Sequence, residues 1–169
     1  MKINQCFFLI PIGLFAVLFD LRKGKIPNEL IVIGLILGCC FQIRQAKAVG
    51  LLLFLGGACI PVVLGAGIYY FRMMGAGDMK LWAVVGGFLG PQRAVYCMIA
   101  SLFVGAVLSI FVLLKRRNLK TRLLYFCSYI QRQQNGVWEP YLNEKDQDGR
   151  FHFAIAILGG ILLCAGGVY

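Results

Sequence analysis

Charge is scarce in this chain, and its scarcity excludes most classes of soluble protein. Only 14% of the 169 residues are charged, while 60% are hydrophobic. A soluble domain of this length has too small an interior to bury so much apolar surface. We therefore expect the lipid bilayer to be part of the solvent in which the chain folds.

Acidic residues are scarcer still. Seven Asp and Glu residues stand against 17 Lys and Arg residues, which gives a net charge of +10. In a soluble protein this excess would suggest nucleic-acid binding, but no basic patch with interleaved aromatic residues is present. The basic residues fall in loops between apolar runs, where they set membrane topology, and nucleic acid is excluded as a partner.

The chain also lacks a CxxC pair, although it has seven cysteines. Six of them lie inside apolar runs, where cysteine usually behaves as a small hydrophobic residue. Neither a zinc site nor a redox motif is indicated, and we predict no metal and no cofactor.

Long apolar runs are what the chain has in abundance. A spanning helix needs about 20 residues, and six runs are candidates. We place them at about 4–20, 29–43, 49–71, 79–90, 94–114 and 151–168. The prediction is an all-α, polytopic membrane protein with residues 1–169 in a single membrane-embedded domain. A signal peptide is the alternative for the first run, but no small-residue cleavage site precedes Asp20.

The fourth run is the shortest and follows a glycine-rich segment. Its twelve residues rise only about 18 Å as a helix, against a hydrocarbon core of about 30 Å. Irregular backbone at that depth cannot face lipid, so Gly75-Ala76-Gly77 is expected to line a wet cavity. This expectation applies if the fourth helix starts within the membrane, which places Asp78 below the level of the headgroups; the alternative is that the bilayer thins there.

Segment 115–150 is the only sizeable hydrophilic piece. Within it, 118–131 has apolar residues at helical spacing beside Lys and Arg, which is typical of an interfacial helix on anionic lipid. The rest is predicted to be a loop.

The distribution of basic residues predicts orientation. With six spans, most of the 17 Lys and Arg residues lie on the side of loops 21–28, 72–78 and 115–150. The positive-inside rule makes that side cytoplasmic, with both termini outside. The other side holds only Lys2, Arg44, Lys47 and Arg93.

Asp20 and Asp78 then arrive at the same face, and their chemistry follows from that. A carboxyl at the bilayer centre costs about 2.5–3.5 kcal/mol on insertion scales, and it indicates function by default. Two carboxyls in a cavity of low dielectric cannot both ionise cheaply, so one keeps its proton. The ionised member can activate a water, while the protonated one polarises a scissile carbonyl. Gly75 and Gly77 suit this hinge because glycine allows positive φ and close backbone approach.

Other residues near these aspartates have more than one reading. Lys80 can keep Asp78 ionised or extend to lipid headgroups, which we favour. Lys25 can bind a lipid phosphate or an acidic substrate, or act only as a topology signal. His152, the only histidine, and Trp82 can face the cavity, although an interfacial position and packing, respectively, are favoured.

Two segments resemble one family. Asp20-Leu21-Arg22-Lys23-Gly24-Lys25-Ile26-Pro27-Asn28 resembles the D-x-x-x-x-x-I-P-N signature of type IV prepilin peptidases, and Gly75-Ala76-Gly77-Asp78-Met79-Lys80 matches their GxGD-x-K motif. The resemblance implies an aspartic endopeptidase of a prokaryotic inner membrane. It would remove a short basic leader from a pilin-like precursor at the cytoplasmic face. Asp20 and Asp78 would be the catalytic pair, supported by Gly75, Gly77, Lys80, Lys25, Pro27 and Asn28.

The chain departs from the longer relatives in two ways. It lacks their N-terminal domain with paired CxxC motifs, so it is similar to the short, peptidase-only form of tight-adherence pilus systems, and no methyltransferase activity is predicted. The start of its last run, 151–154, also lacks the proline found in many relatives.

Two other functions fit the same residues. A small transporter could use Asp20 and Asp78 to bind protons or cations, since buried acids and a short broken span occur in that class. Both acids lie near one face instead of the midplane, which argues against it. A catalytically silent scaffold for pilus assembly is the third reading, and the intact pair of acids argues against that.

Overall fold

The computed structural model describes residues 3–70, 74–115 and 153–166. Five α-helices occupy this part of the chain: α1 (Ile3–Lys23), α2 (Asn28–Tyr70), α3 (Ala76–Leu89), α4 (Pro91–Lys115) and α5 (Phe153–Ala165). Since the described residues contain no strand, the all-α prediction is confirmed. The predicted interfacial helix at 118–131, the loop after it and His152 lie outside the described residues.

The second and third predicted spans are joined in one element. α2 has 43 residues and is interrupted at Lys47, where φ is 50° and ψ is −129°. The chain folds back there. The evidence is a contact between the two arms: a Cβ placed on Gly38 would lie 3.3 Å from the ring of Phe54. In a straight helix, residues so far apart in sequence would be about 24 Å apart. α2 is therefore a hairpin with a first arm, 28–46, and a second arm, 48–70.

α3 is the central helix, and its C-terminal part is buried on every side. Every residue from 84 to 89 is buried. Glycines on the first arm of α2 allow the two helices to approach closely: a Cβ on Gly34 would lie 2.7 Å from Val84 Cγ1, and one on Gly38 would lie 3.0 Å from the Phe88 ring. Both contacts advance in the same direction, so this arm runs parallel to α3.

The second arm of α2 packs antiparallel on α3. A Cβ on Gly65 would lie 2.8 Å from Met79 Sδ near the start of α3, while one on Gly57 would collide with the carbonyl oxygen of Gly86 near its end. The two backbones are in direct contact at Gly57 and Gly86. Such approach requires glycine and is typical of helix packing in membranes.

α4 and α5 form a second antiparallel pair. A Cβ on Gly105 would lie 3.4 Å from Ala156 Cβ, and one on Gly160 would collide with Ser101 Oγ. α1 packs on α5 as well, where a Cβ on Gly13 would meet the side chain of Leu158. Together, α1 and the α4–α5 pair enclose α3 on the sides that α2 leaves open.

Large apolar side chains cover the outside of this bundle, while glycines fill much of its inside. Leu52, Val63 and Phe103 are each 70% exposed. A soluble protein rarely presents a continuous apolar surface of this kind. It suits a bundle whose outer surface contacts lipid.

Two of the described helices, α2 and Pro91–Val112 of α4, are long and apolar enough to cross a membrane. α3 and α5, with 14 and 13 residues, rise only about 20 Å each, which is less than a hydrocarbon core. α1 carries Asp20, Arg22 and Lys23 close to its end. The prediction of six spanning helices is therefore not supported by the structure.

Candidate active site

Asp20 lies on the face of α1 that packs against the bundle. The buried residues of this helix include Leu9, Ile12 and Ala16, which are three or four residues apart, as one helical face requires. Asp20 comes one turn after Ala16 and is half-buried. The last residue on the buried face of α1 is therefore Asp20.

The end of α1 is fixed by Gly24. Its backbone N–H donates to the carbonyl oxygen of Asp20 at 2.8 Å, and its φ is 61°. This is the left-handed conformation that closes many helices and that glycine adopts without strain. α1 ends at Lys23, beyond the predicted end at residue 20, so Asp20 lies within the last complete turn.

The segment between α1 and α2 packs directly on the glycine hinge. Ile26 is 9% exposed, and a Cβ on Gly77 would lie 3.4 Å from Ile26 Cβ. Pro27, the next residue, is half-buried, whereas Lys25 is exposed. The isoleucine of the first motif thus contacts the second glycine of the second motif, although 51 positions separate them in the numbering.

Gly75 caps α3 and leaves room for Asp78. The carbonyl oxygen of Gly75 accepts from the N–H groups of Asp78 at 3.2 Å and Met79 at 3.3 Å. A Cβ on Gly75 would lie only 3.2 Å from Asp78 Oδ2. The position is glycine because a side chain there would press on the carboxylate.

The expected positive φ of the hinge glycines is wrong. Gly75 has φ −75° and ψ 149°, which is extended backbone that any residue adopts. Among the described glycines, only Gly24 and Gly90 have positive φ. A helix N-cap normally has extended backbone, so the need for glycine at 75 comes from its close approach to the carboxylate of Asp78.

Asp78 is half-buried in the first turn of α3. The backbone N–H groups there point toward the helix start, and their dipoles favour a negative charge at this place. The backbone at the start of α3 thus favours the carboxylate of Asp78.

Lys80 joins the two motifs by a hydrogen bond. Its Nζ donates to Asn28 Oδ1 at 2.8 Å. We expected this lysine to extend to headgroups or to act on Asp78. α2 begins at Asn28 with Glu29 in its first turn, and the side-chain oxygen of Asn28 accepts from Lys80. The start of α2 is therefore connected to the start of α3.

Trp82 packs in the core one turn beyond Asp78. It is 2% exposed, and its ring meets the ring of Phe153 edge to face, with centroids 5.6 Å apart. The favoured reading, packing, is confirmed. Its indole Nε1 has no hydrogen-bond partner among the described residues.

An open depression of about 540 Å³ adjoins the hinge, lined by Ala66, Tyr69, Tyr70, Met74 and Ala76. The sequence reasoning missed the two tyrosines. Their position at the end of an apolar run, where aromatic residues gather at membrane interfaces, was the available signal. The depression and the carboxylates share one end of the bundle, since Ala76 opens the helix that carries Asp78.

Gln42 was missed as well, and it fixes the opposite end of α3. It is 5% exposed, and its Nε2 donates to the carbonyl oxygens of Phe88 at 3.1 Å and Gly87 at 3.3 Å. These carbonyls belong to the last turn of α3, where the helix offers them no partner. Gln42 therefore holds the far end of the helix that carries Asp78.

Comparison with known proteins gives one match. Residues 7–110, more than half of the chain, match the family model described as the type IV leader peptidase family. The matched region contains both motif segments and all of α2 and α3. No curated protein and no solved structure shows significant similarity to the chain.

Proposed function

This chain belongs to the type IV leader peptidase family, and from that premise we propose that it is a membrane aspartic endopeptidase. Its substrates are prepilins or pilin-like precursors of the tight-adherence type, from which it removes a short basic leader. The observation that carries the proposal is the contact between the two motif segments. Ile26 packs on Gly77 and Lys80 bonds to Asn28, which puts Asp20 and Asp78 at one end of the bundle.

Asp20 and Asp78 are the proposed catalytic pair. One carboxylate accepts a proton from a water molecule, and the resulting hydroxide attacks the scissile carbonyl carbon. The second, protonated carboxyl donates a hydrogen bond to the carbonyl oxygen, which stabilises the negative charge that develops there. When the tetrahedral intermediate collapses, the carboxyl that accepted the proton from water donates it to the leaving nitrogen, which departs as an amine.

The remaining predicted residues support this pair. Gly75 leaves space for the carboxylate of Asp78, and Gly77 lets Ile26 hold the two motifs together. Asn28 and Lys80 connect the starts of α2 and α3. Pro27 lies between Ile26 and the first residue of α2. Lys25, exposed at the same end, is placed to attract an acidic group of a substrate or a lipid.

The site-bearing end is proposed to face the cytoplasm of a prokaryotic cell in a multi-pass arrangement. Lys25 and Lys80 lie exposed at this end, with Arg22 and Lys23 on the last turn of α1. Arg44 and Lys47 lie at the turn of the α2 hairpin, at the other end. The excess of basic residues in the neighbouring loops supports the cytoplasmic assignment of the site.

Precursor processing in cells tests the assignment. The full chain is produced with a pilin-like precursor, and leader removal is followed on a gel over time. We expect Asp20→Asn and Asp78→Asn each to slow processing by about 10²- to 10⁴-fold, because each removes one acid or base from the reaction. The matched control is Glu29→Gln, which neutralises an exposed carboxylate at the same end of the bundle and is expected to process normally. Normal processing by both aspartate variants would contradict the proposal.

A further inference from the structure

Cys97 and Cys164 lie directly opposite each other on α4 and α5. The two helices run antiparallel, and their register is given by two glycine contacts: Gly105 faces Ala156, and Gly160 faces Ser101. Because the helices are antiparallel, moving one turn toward the start of α4 corresponds to moving one turn toward the end of α5. The next pair in this register, one turn beyond Ser101 and Gly160, is Cys97 with Cys164.

The two thiols are in contact. The two thiol groups face each other near enough to influence one another's ionisation. Cys97 is 1% exposed and Cys164 is 6% exposed. Both are held as thiols in the structure. The register and the thiol contact therefore agree.

The two backbones also approach closely beside these cysteines. A Cβ on Gly160 would lie 3.0 Å from the carbonyl oxygen of Cys97, so no large side chain separates the helices there. A disulfide needs Cα atoms about 4.4–6.8 Å apart. Close approach of the two helices favours such a separation.

The pair lies at the end of the bundle opposite to Asp20 and Asp78. α3 carries Asp78 in its first turn and ends at Leu89, and α4 begins two residues later with Pro91. Cys97 is in the second turn of α4 and Cys164 in the last turn of α5. Under the orientation given in Proposed function this is the outer end, and disulfides persist in the oxidising space outside the cytoplasm.

We propose that Cys97 and Cys164 form a disulfide that links α4 to α5. Each thiol gives up its hydrogen, and one S–S bond forms. The two electrons and two protons pass to a disulfide-bearing oxidant, which is reduced to two thiols. Only the choice of compartment rests on the proposed function, because the contact between the sulfur atoms is a property of the bundle itself.

Thiol counting on the full chain tests the link. The purified protein in detergent is treated with diamide, a small two-electron oxidant whose azo bond becomes a hydrazine. It is then denatured and labelled with a maleimide-polyethylene glycol that shifts the gel band once per free thiol. Protein that is first reduced with dithiothreitol and freed of it should show seven shifts, one for each cysteine, and the same protein after diamide should lose two of them. Dithiothreitol should restore both.

Fragment linkage identifies the partners. Trypsin cleaves the denatured, oxidised chain at the many Lys and Arg residues between positions 115 and 150. The fragments that contain Cys97 and Cys164 should stay together on a non-reducing gel and separate after reduction. Cys97→Ala and Cys164→Ala should each abolish both the loss of two thiols and the linkage, while Cys59→Ala, which removes an exposed cysteine of α2, should preserve them.

Three results would overturn the proposal: seven free thiols after oxidation of the wild type, a persistent loss of two thiols in Cys97→Ala, or linkage through Cys39 or Cys40. None of these measurements depends on peptidase activity. A failed precursor assay with an intact disulfide would reject the proposed function alone, and normal processing by a chain that forms no disulfide would reject this inference alone.

Discussion

The two ends of α3 are held in opposite ways. At the C-terminal end, Gly57 and Gly86 touch backbone to backbone, and buried Gln42 binds the last carbonyls. At the N-terminal end, the helix is held by the exposed hydrogen bond from Lys80 to Asn28 and by the small contact of Ile26 with Gly77. One end contributes packing and the other contributes ionisable groups.

This difference separates stability from chemistry within a single helix. A carboxylate that must exchange protons with water cannot be enclosed, since burial penalises its charged form. The cost of leaving the N-terminal end less tightly packed is offset by the tightly packed C-terminal end. Substitutions at the C-terminal end should therefore change stability first, whereas substitutions at the N-terminal end should change activity first.

The largest stability effect is expected for Gly57→Ala. The new Cβ would collide with the Gly86 carbonyl, and because backbone cannot move aside as a flexible side chain can, the arms must separate. We expect a loss of about 3 kcal/mol, as for severe overpacking. Gly56→Ala is the matched control, since its Cβ would make only ordinary contact with Pro91 at 3.8 Å. Thermal unfolding in detergent measures both, and equal stability of the two variants would contradict the expected clash.

A smaller loss of stability is expected for Gln42→Leu. The carbonyl oxygens of Gly87 and Phe88 would lose their buried donor, which costs about 1–3 kcal/mol. Gln45→Leu, at an exposed position of the same arm, controls for the change in side-chain polarity. In membranes, both variants should retain near wild-type processing at temperatures where they remain folded. A Gln42→Leu variant that is stable but inactive would reverse the expected division of roles.

At the N-terminal end, Gly75→Ala should reduce activity with little loss of stability. Its Cβ would lie 3.2 Å from Asp78 Oδ2, so the carboxylate must shift by a few tenths of an ångström. We expect processing to slow by about 10-fold, since a misplacement of 1 Å can cost about 10²-fold. Gly67→Ala, where no atom lies within 4 Å of the new Cβ, is the control. Gly77→Ala should reduce the processing rate less than Gly75→Ala, because the new Cβ would lie at an ordinary contact distance from Ile26.

The smallest effect is expected for the bond between Lys80 and Asn28. We expect a double-mutant cycle with Lys80→Met and Asn28→Leu to give a coupling energy of about 0.5–1.5 kcal/mol, the usual net value of one hydrogen bond. Precursor processing rates and thermal unfolding should both be measured. Strictly additive effects in both assays would mean that the bond does not hold the two helix starts together.

Local features of the sequence predicted the helices and singled out the candidate site residues. Apolar runs mark helices directly, and the start of α2 after Pro27 follows from the restraint that proline places on the backbone. Asp20 and Asp78 stood out because charge is costly beside apolar residues. None of these inferences required knowledge of which helices touch.

Contacts between distant residues could not be predicted in this way. Gln42 is 46 positions from Phe88 and Lys80 is 52 positions from Asn28, and no local pattern couples them. The two arms of the hairpin at Lys47 correspond to the second and third predicted runs, but their pairing with α3 has no local signal in the sequence. Six spanning helices were predicted because six apolar runs were counted. An apolar run does not have to span, and α3 and α5 are too short to do so by themselves; their neighbours in the bundle cover them.

The cap at Gly24 fixes the position of Asp20 relative to Ile26. The last turn of α1 closes on the carbonyl of Asp20 itself, and Ile26 is seated on Gly77 two residues after the cap. One inserted residue between Asp20 and Gly24 would rotate the carboxylate by about 100° around the helix axis. Insertions and deletions in this short stretch should therefore be far less tolerated than at the Lys47 turn, where both arms end at the surface.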